Sequence, residues 1–64
     1  MTVKIRIKVL RAIKEITQAE LSEKTGINQS AISEIESGKR SASIKMLERI
    51  AKGLDCKISD LIEE

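Results

Sequence analysis

The stretch that decides the fold is 17-TQAELSEKTGINQSAISEIESG-38, which reads as two short helices joined by a tight turn. Thr17 can cap the first, because its hydroxyl can accept a bond from a free N–H of the first turn, and Glu20 three residues on completes a capping box. Gly26 ends that helix, since the residue just past a helix often takes positive φ and glycine does so without a Cβ penalty. Asn28 restarts the chain as a second cap, and Gly38 closes the second helix. Leu21, Ile27, Ile32 and Ile35 fall where two such helices would press together, with Ile32 and Ile35 three apart on one face.

Working outward, 64 residues make one domain, 1–64, near the lower limit at which a core holds without staples; such a domain buries only about 60% of its unfolded surface. The chain has no His, Trp, Tyr or Phe and a single Cys. That inventory excludes a Ser-His-Asp site and a multi-ligand Cys/His metal site, so no catalytic role, metal or cofactor is expected. A lone thiol, Cys56, points to a reducing compartment, and the cytoplasm fits it. No apolar run approaches the roughly 20 residues of a membrane span, and no signal-peptide pattern precedes the domain.

The net charge is only +2, but it is unevenly spread. Residues 1–14 carry Lys4, Arg6, Lys8, Arg11 and Lys14 with no acid, whereas residues 15–36 carry Lys24 against five glutamates. Residues 37–57 are basic again, and the last seven are acidic. Basic blocks flanking an acidic middle permit a polyanion partner without demanding one, because like charges on helices are commonly solvated faces.

The first segment admits two readings. Val3, Ile5, Ile7 and Val9 alternate with Lys and Arg, as in a half-buried strand; Val3, Ile7, Leu10 and Ile13 instead share one helix face. We favour helix, since a lone strand has no evident partner elsewhere and would leave its ladder groups unpaired. Beyond Gly38, the polar run 38–43 reads as a loop, with Ser43 capping a fourth helix over 44–53 whose apolar face is Ile44, Leu47, Ile50, Ala51 and Leu54. Asp55 stands at a bend where a left-handed residue is expected. A fifth helix, about 58–63, puts Ile58, Leu61 and Ile62 on one side. The expected architecture is all-α, a compact bundle of five helices.

The runs IKVLR, TQAELSEKTGINQSAISEIESGKR, SIKMLERIAKGL and ISDLIE together resemble the Cro/CI-type (Xre-like) helix-turn-helix domains of phage repressors and small bacterial regulators. The most specific part is TQxxL, a turn glycine, and then Ile32, Ile35, Glu36, Gly38 and Lys39 as IxxIExGK, and the likeness extends from about Val3 to Ile62. It implies a lambda-repressor-like five-helix fold, with the motif at about 17–38, that binds operator DNA as a symmetric dimer and regulates transcription. It places Gln29, Ser30, Ser33 and Glu34 towards base edges in the major groove. Gln can pair bidentately with adenine N6 and N7, Glu can accept from cytosine N4, and Ser can serve either role. Gln18, at a helix N-terminus that favours an anion, matches a phosphate contact. Asn28, Lys39, Arg40, Ser41 and Ser43 likewise hold the backbone, positioning the domain without specifying sequence. Arg11 and Glu36 match an ion pair tying the first helix to the third. Several residues depart from the family pattern: Ser22 for alanine, Thr25 for an aliphatic, Ala42 where proline is common, and Lys57 for a capping serine.

On these grounds the expected function is a sequence-specific, repressor-like transcriptional regulator binding a two-fold operator on double-stranded DNA as a homodimer, with Ile58, Leu61 and Ile62 as the dimer seam. No small-molecule ligand and no membrane are expected. The competing reading is a protein-binding module of the antitoxin kind; the sequence lacks the extra tail that commonly makes such contacts.

Overall fold

The computed structural model describes residues 4–63. In chain order these form strand β1 (Lys4–Ile5), helices α1 (Ile7–Lys14), α2 (Gln18–Thr25), α3 (Gln29–Ser37), α4 (Ile44–Gly53) and α5 (Ile58–Leu61), and strand β2 (Ile62–Glu63). The five-helix, lambda-repressor-like architecture is the one expected.

The helix boundaries follow from local chemistry. Thr17 Oγ1 accepts from the Glu20 N–H at 3.0 Å while Glu20 Oε1 accepts from the Thr17 N–H at 3.0 Å, so two N-terminal donors of α2 are satisfied reciprocally. Gly26 (φ 74°) ends α2 and donates to the Ser22 carbonyl at 2.8 Å. Asn28 Oδ1 caps α3 through the Ser30 N–H at 2.8 Å, and Ser43 Oγ caps α4 through the Met46 N–H at 3.1 Å. Asp55 takes the left-handed conformation (φ 54°), and so does Glu15 (φ 56°), which closes α1.

The core is aliphatic throughout. Ile7, Leu21, Ile32, Ile50, Leu54 and Leu61 are essentially inaccessible, joined by Leu10, Ile27, Ile35 and Leu47. Burying each such side chain contributes roughly 1.5–3 kcal/mol relative to exposure. Helices α2 and α4 approach closely at Gly53, where a Cβ would stand 2.7 Å from Thr25 Cγ2 and 3.2 Å from Leu21 Cδ1.

The two chain ends depart from the sequence expectation. The first segment is a strand followed by a helix. Lys4 pairs with Glu63 and Ile5 with Ile62 in an antiparallel ladder, and the Arg6 N–H donates to the Leu61 carbonyl at 2.7 Å. The objection that a strand here lacks a partner therefore fails: the last residues leave α5 after Leu61 and become that partner, so α5 is shorter than 58–63. Helix α1 starts at Ile7 and buries Ile7 and Leu10, while Ile13 is 65% exposed. Val3, also placed on that helix face, lies outside the described residues. Ile44, expected on the apolar face of α4, is 62% exposed, while Ala42 and Met46 on either side of it pack against the core.

Candidate nucleic-acid interface

The turn between α2 and α3 sets how α3 is presented, and it is held by two of the residues that depart from the family pattern. Ser22 Oγ donates to the Ile27 carbonyl at 2.6 Å. Thr25 Oγ1, buried, donates to the Leu21 carbonyl at 2.8 Å and accepts from the Ile27 N–H at 3.2 Å. From α4, the Arg49 guanidinium donates to the Thr25 carbonyl at the C-terminus of α2. The Arg49 bond satisfies a carbonyl that the C-terminal end of α2 leaves open.

A second constraint binds three helices at one point. Arg11 of α1 donates through Nε to Glu36 Oε2 at 2.7 Å and through a terminal nitrogen to Oε1 at 3.0 Å. Its other terminal nitrogen donates to the Ile16 carbonyl at 3.1 Å, and Gln18 Nε2 donates to Glu36 Oε1 at 3.0 Å. The Glu36 side chain is only 6% exposed and that of Arg11 15%. Burial pushes the Glu36 carboxyl up, but the bonds from Arg11 and Gln18 and the charges of Arg11 and Lys8 outweigh it, leaving it below the ordinary carboxylate value. Arg11 is raised in turn, chiefly by its bond to Glu36.

On this frame Gln29, Ser30 and Ser33 are exposed and Glu34 is half-buried. Together with Gln18 they line one shallow depression, so the α3 residues and the start of α2 share a surface. Asn28, Lys39, Arg40, Ser41 and Ser43 are all exposed nearby in sequence. Asn28 Oδ1 and Ser43 Oγ already accept cap bonds, which leaves the Asn28 amide and the Ser43 hydroxyl proton as donors. The Gln18 side chain is partly committed to Glu36, and of the first-turn N–H groups of α2 that of Glu20 is taken by Thr17 Oγ1.

Sequence reasoning missed the partner of Glu34. After Gly38 the chain folds back, and the N–H groups of Lys39 and Arg40 both reach the Glu34 carbonyl, at 2.9 and 3.2 Å. Arg40 then donates through Nε and a terminal nitrogen to Glu34 Oε1, at 3.2 and 3.0 Å. The pair is six residues apart across a glycine turn, outside any helical spacing rule. The guanidinium partly neutralises the Glu34 carboxylate.

Leu61 is a correction to the expected dimer seam. Its side chain is fully buried in the chain's own core, so it is not available to a second copy. Ile58 and Ile62 are half-buried, and Ile62 belongs to β2 rather than to α5. Burial, with help from Asp60, pushes the thiol of half-buried Cys56 up, away from the reactive thiolate. Among the described residues no helix is long and apolar enough to cross a membrane.

A capped two-helix unit whose second helix displays polar side chains on an outer face is the arrangement of a helix-turn-helix domain. The chain belongs to the helix-turn-helix family of the Xre/Cro-CI type, a family of transcriptional regulators rather than enzymes, whose pattern matches residues 7–61. It is 34% identical to the immunity repressor protein of Bacillus phage phi105 over all of this chain and 44% of that protein, so it spans less than half of that relative's length. It is 38% identical to an uncharacterized HTH-type transcriptional regulator of Methanocaldococcus jannaschii, over 91% of this chain and 88% of that one. The fold is similar to the restriction-modification controller protein C.Esp1396I, solved as a tetramer in complex with its natural 35 base-pair operator. That match has a TM-score of 0.76 and 41% identity and covers 80% of this chain and 67% of that one.

Proposed function

We propose that the chain is a sequence-specific, repressor-like transcriptional regulator that binds a two-fold operator on double-stranded DNA as a homodimer. The observation that carries this reading is the shared surface of Gln29, Ser30, Ser33, Glu34 and Gln18 on a helix-turn-helix frame. Residues 1–64 act as a single domain, with the motif at about 17–38. Gln29 reads adenine through a bidentate pair, the serines serve either role, and Glu34 accepts from cytosine N4. Glu34 Oε1 is engaged by Arg40, and Oε2 is the atom that meets the base.

Gln18, Asn28, Lys39, Arg40, Ser41 and Ser43 hold phosphates on either side of α3, and the Arg11–Glu36 pair keeps α1, α2 and α3 in register. Helix α3 carries no Arg or Lys, so one protomer binds weakly. Affinity comes from two copies on half-sites about 34 Å apart. The association of C.Esp1396I with a 35 base-pair operator as a tetramer supports an assembly of several copies. Ile58 and Ile62 belong to the seam. A free, unreactive thiol suits the reducing cytoplasm.

The test is selection of duplexes from a random pool by this chain, followed by titration of selected and unrelated duplexes at several salt concentrations. The expected result is an enriched sequence with two-fold symmetry, and a log–log salt slope of about −0.9 per phosphate neutralised. An unenriched pool would refute the reading.

A further inference from the structure

Two features outside the DNA-facing surface lie beside each other and have complementary character. On α1, Val9 is 46% and Ile13 65% exposed; four apart, they form an apolar stripe on one outer face. Between α4 and α5 is a groove lined by Glu48, Ala51, Lys52, Asp55, Cys56 and Ile58. Lys14 Nζ, one residue after Ile13, lies 3.5 Å from the Asp55 carbonyl, which brings the C-terminal end of α1 to the rim of the groove. The other end of α1 is tied to Leu61 through the Arg6 N–H, so α1 runs alongside the segment 55–61.

We propose that the occupant of this groove is α1 of a second copy: Ile13 and Val9 of each protomer seat against Ile58 and Cys56 of the other, completing the seam that Ile58 and Ile62 begin. The inference rests on the homodimer reading of the preceding section. Three observations favour a second copy. With Leu61 withdrawn into the core, two half-buried isoleucines fall well short of the roughly 800 Å² per partner of a stable interface; the α1 stripe extends that patch. The stripe is flanked by Lys8 and Lys14, whereas the groove carries Glu48 and Asp55 against Lys52, with Asp60 acting on Cys56. Pairing α1 with α1 would set lysines against lysines, so the complementary arrangement is α1 on groove. Because the end of α1 lies at the rim of the groove, a two-fold axis beside them lets each copy present its stripe to the other's groove, and the contact closes as a dimer.

The test is sedimentation velocity of the whole chain without DNA, comparing the wild type with Val9→Lys, Ile13→Lys and the control Ile44→Lys, a comparably exposed isoleucine outside the seam. All three sites are solvent-facing, and helical circular dichroism checks that each variant folds. The wild type and Ile44→Lys are expected to dimerise alike, with Val9→Lys and Ile13→Lys at least about tenfold weaker, or 1.4 kcal/mol. A monomeric wild type, or a folded Ile13→Lys that dimerises normally, would overturn the proposal. A wild type that sediments as a monomer yet prefers a selected duplex sinks the seam and the preformed homodimer and leaves the DNA reading standing. A dimer that Ile13→Lys abolishes, in a chain with no sequence preference, sinks the DNA reading alone.

Discussion

Replacing Arg11 with methionine keeps much of the aliphatic stem and removes the guanidinium that holds Glu36. The structure sets the scale. The Glu36 side chain is 6% exposed, and Arg11 supplies two of the three side-chain bonds to its carboxylate. Removing one partner of a buried pair costs about 3–5 kcal/mol, because a charge is left desolvated and underpaired. Total stability for a domain of this size is roughly 3–10 kcal/mol. At about 4–8 °C per kcal/mol, the melting temperature should fall by at least about 12 °C. The chain has no aromatic residue, so the assay is helical circular dichroism against temperature and urea.

The effect also has a sign in pH. In the wild type the folded Glu36 carboxyl lies below its ordinary value. Its contribution is therefore present above the unfolded value, about 4.3, and is lost as pH falls through the folded value. In Arg11→Met burial is opposed only by the Gln18 bond and the charge of Lys8, so the folded carboxyl rises and its ionised form is penalised. The stability gap between the two proteins should narrow as pH drops below about 4. Arg11→Met combined with Glu36→Leu should recover most of the loss, since an apolar pair leaves no buried charge. A gap under about 1 kcal/mol at neutral pH, the worth of an exposed pair, would refute the reasoning.

Other consequences follow from single contacts. Gly53→Ala places a Cβ 2.7 Å from Thr25 Cγ2 and should destabilise by about 1–3 kcal/mol, read by urea melts; an unchanged midpoint would show that α2 and α4 can separate without cost. Arg40→Gln should weaken binding to the selected duplex more than to unrelated duplexes, because Glu34 loses its cation beside the phosphates. In a Glu34→Gln background that excess should vanish, and a uniform loss in both backgrounds would make Arg40 a phosphate contact alone.

The parts of the fold legible in sequence were those fixed by near neighbours. Thr17, Glu20, Gly26, Asn28 and Ser43 act within one helical turn, so their roles can be read from spacing. The strand pair could not be read that way: Ile5 and Ile62 are far apart in the chain, the first segment fits strand and helix alike, and the last looks helical until its partner is in place. The same pairing places Ile62 in β2 while Leu61 lies in the core, which is why Ile58, Leu61 and Ile62 do not share one outer helical face. Ile13 and Ile44 matched helical periodicity but are exposed, and it is Ile16, Ala42 and Met46 nearby that pack against the core at those helix ends. Glu34 and Arg40 meet across a reversal at Gly38 that no helical spacing describes. Ser22 and Thr25, which differ from the family pattern, turn out to bond the turn that orients α3.

The central claim is that α3 reads bases while its flanks hold phosphates. It is tested most directly by the ratio of affinities for the selected and an unrelated duplex, measured for the wild type, Gln29→Ala and Lys39→Ala at one salt concentration. The account predicts that Gln29→Ala lowers that ratio by about 1–3 kcal/mol, whereas Lys39→Ala weakens both duplexes and leaves the ratio unchanged. A ratio that is the same in all three proteins would contradict it.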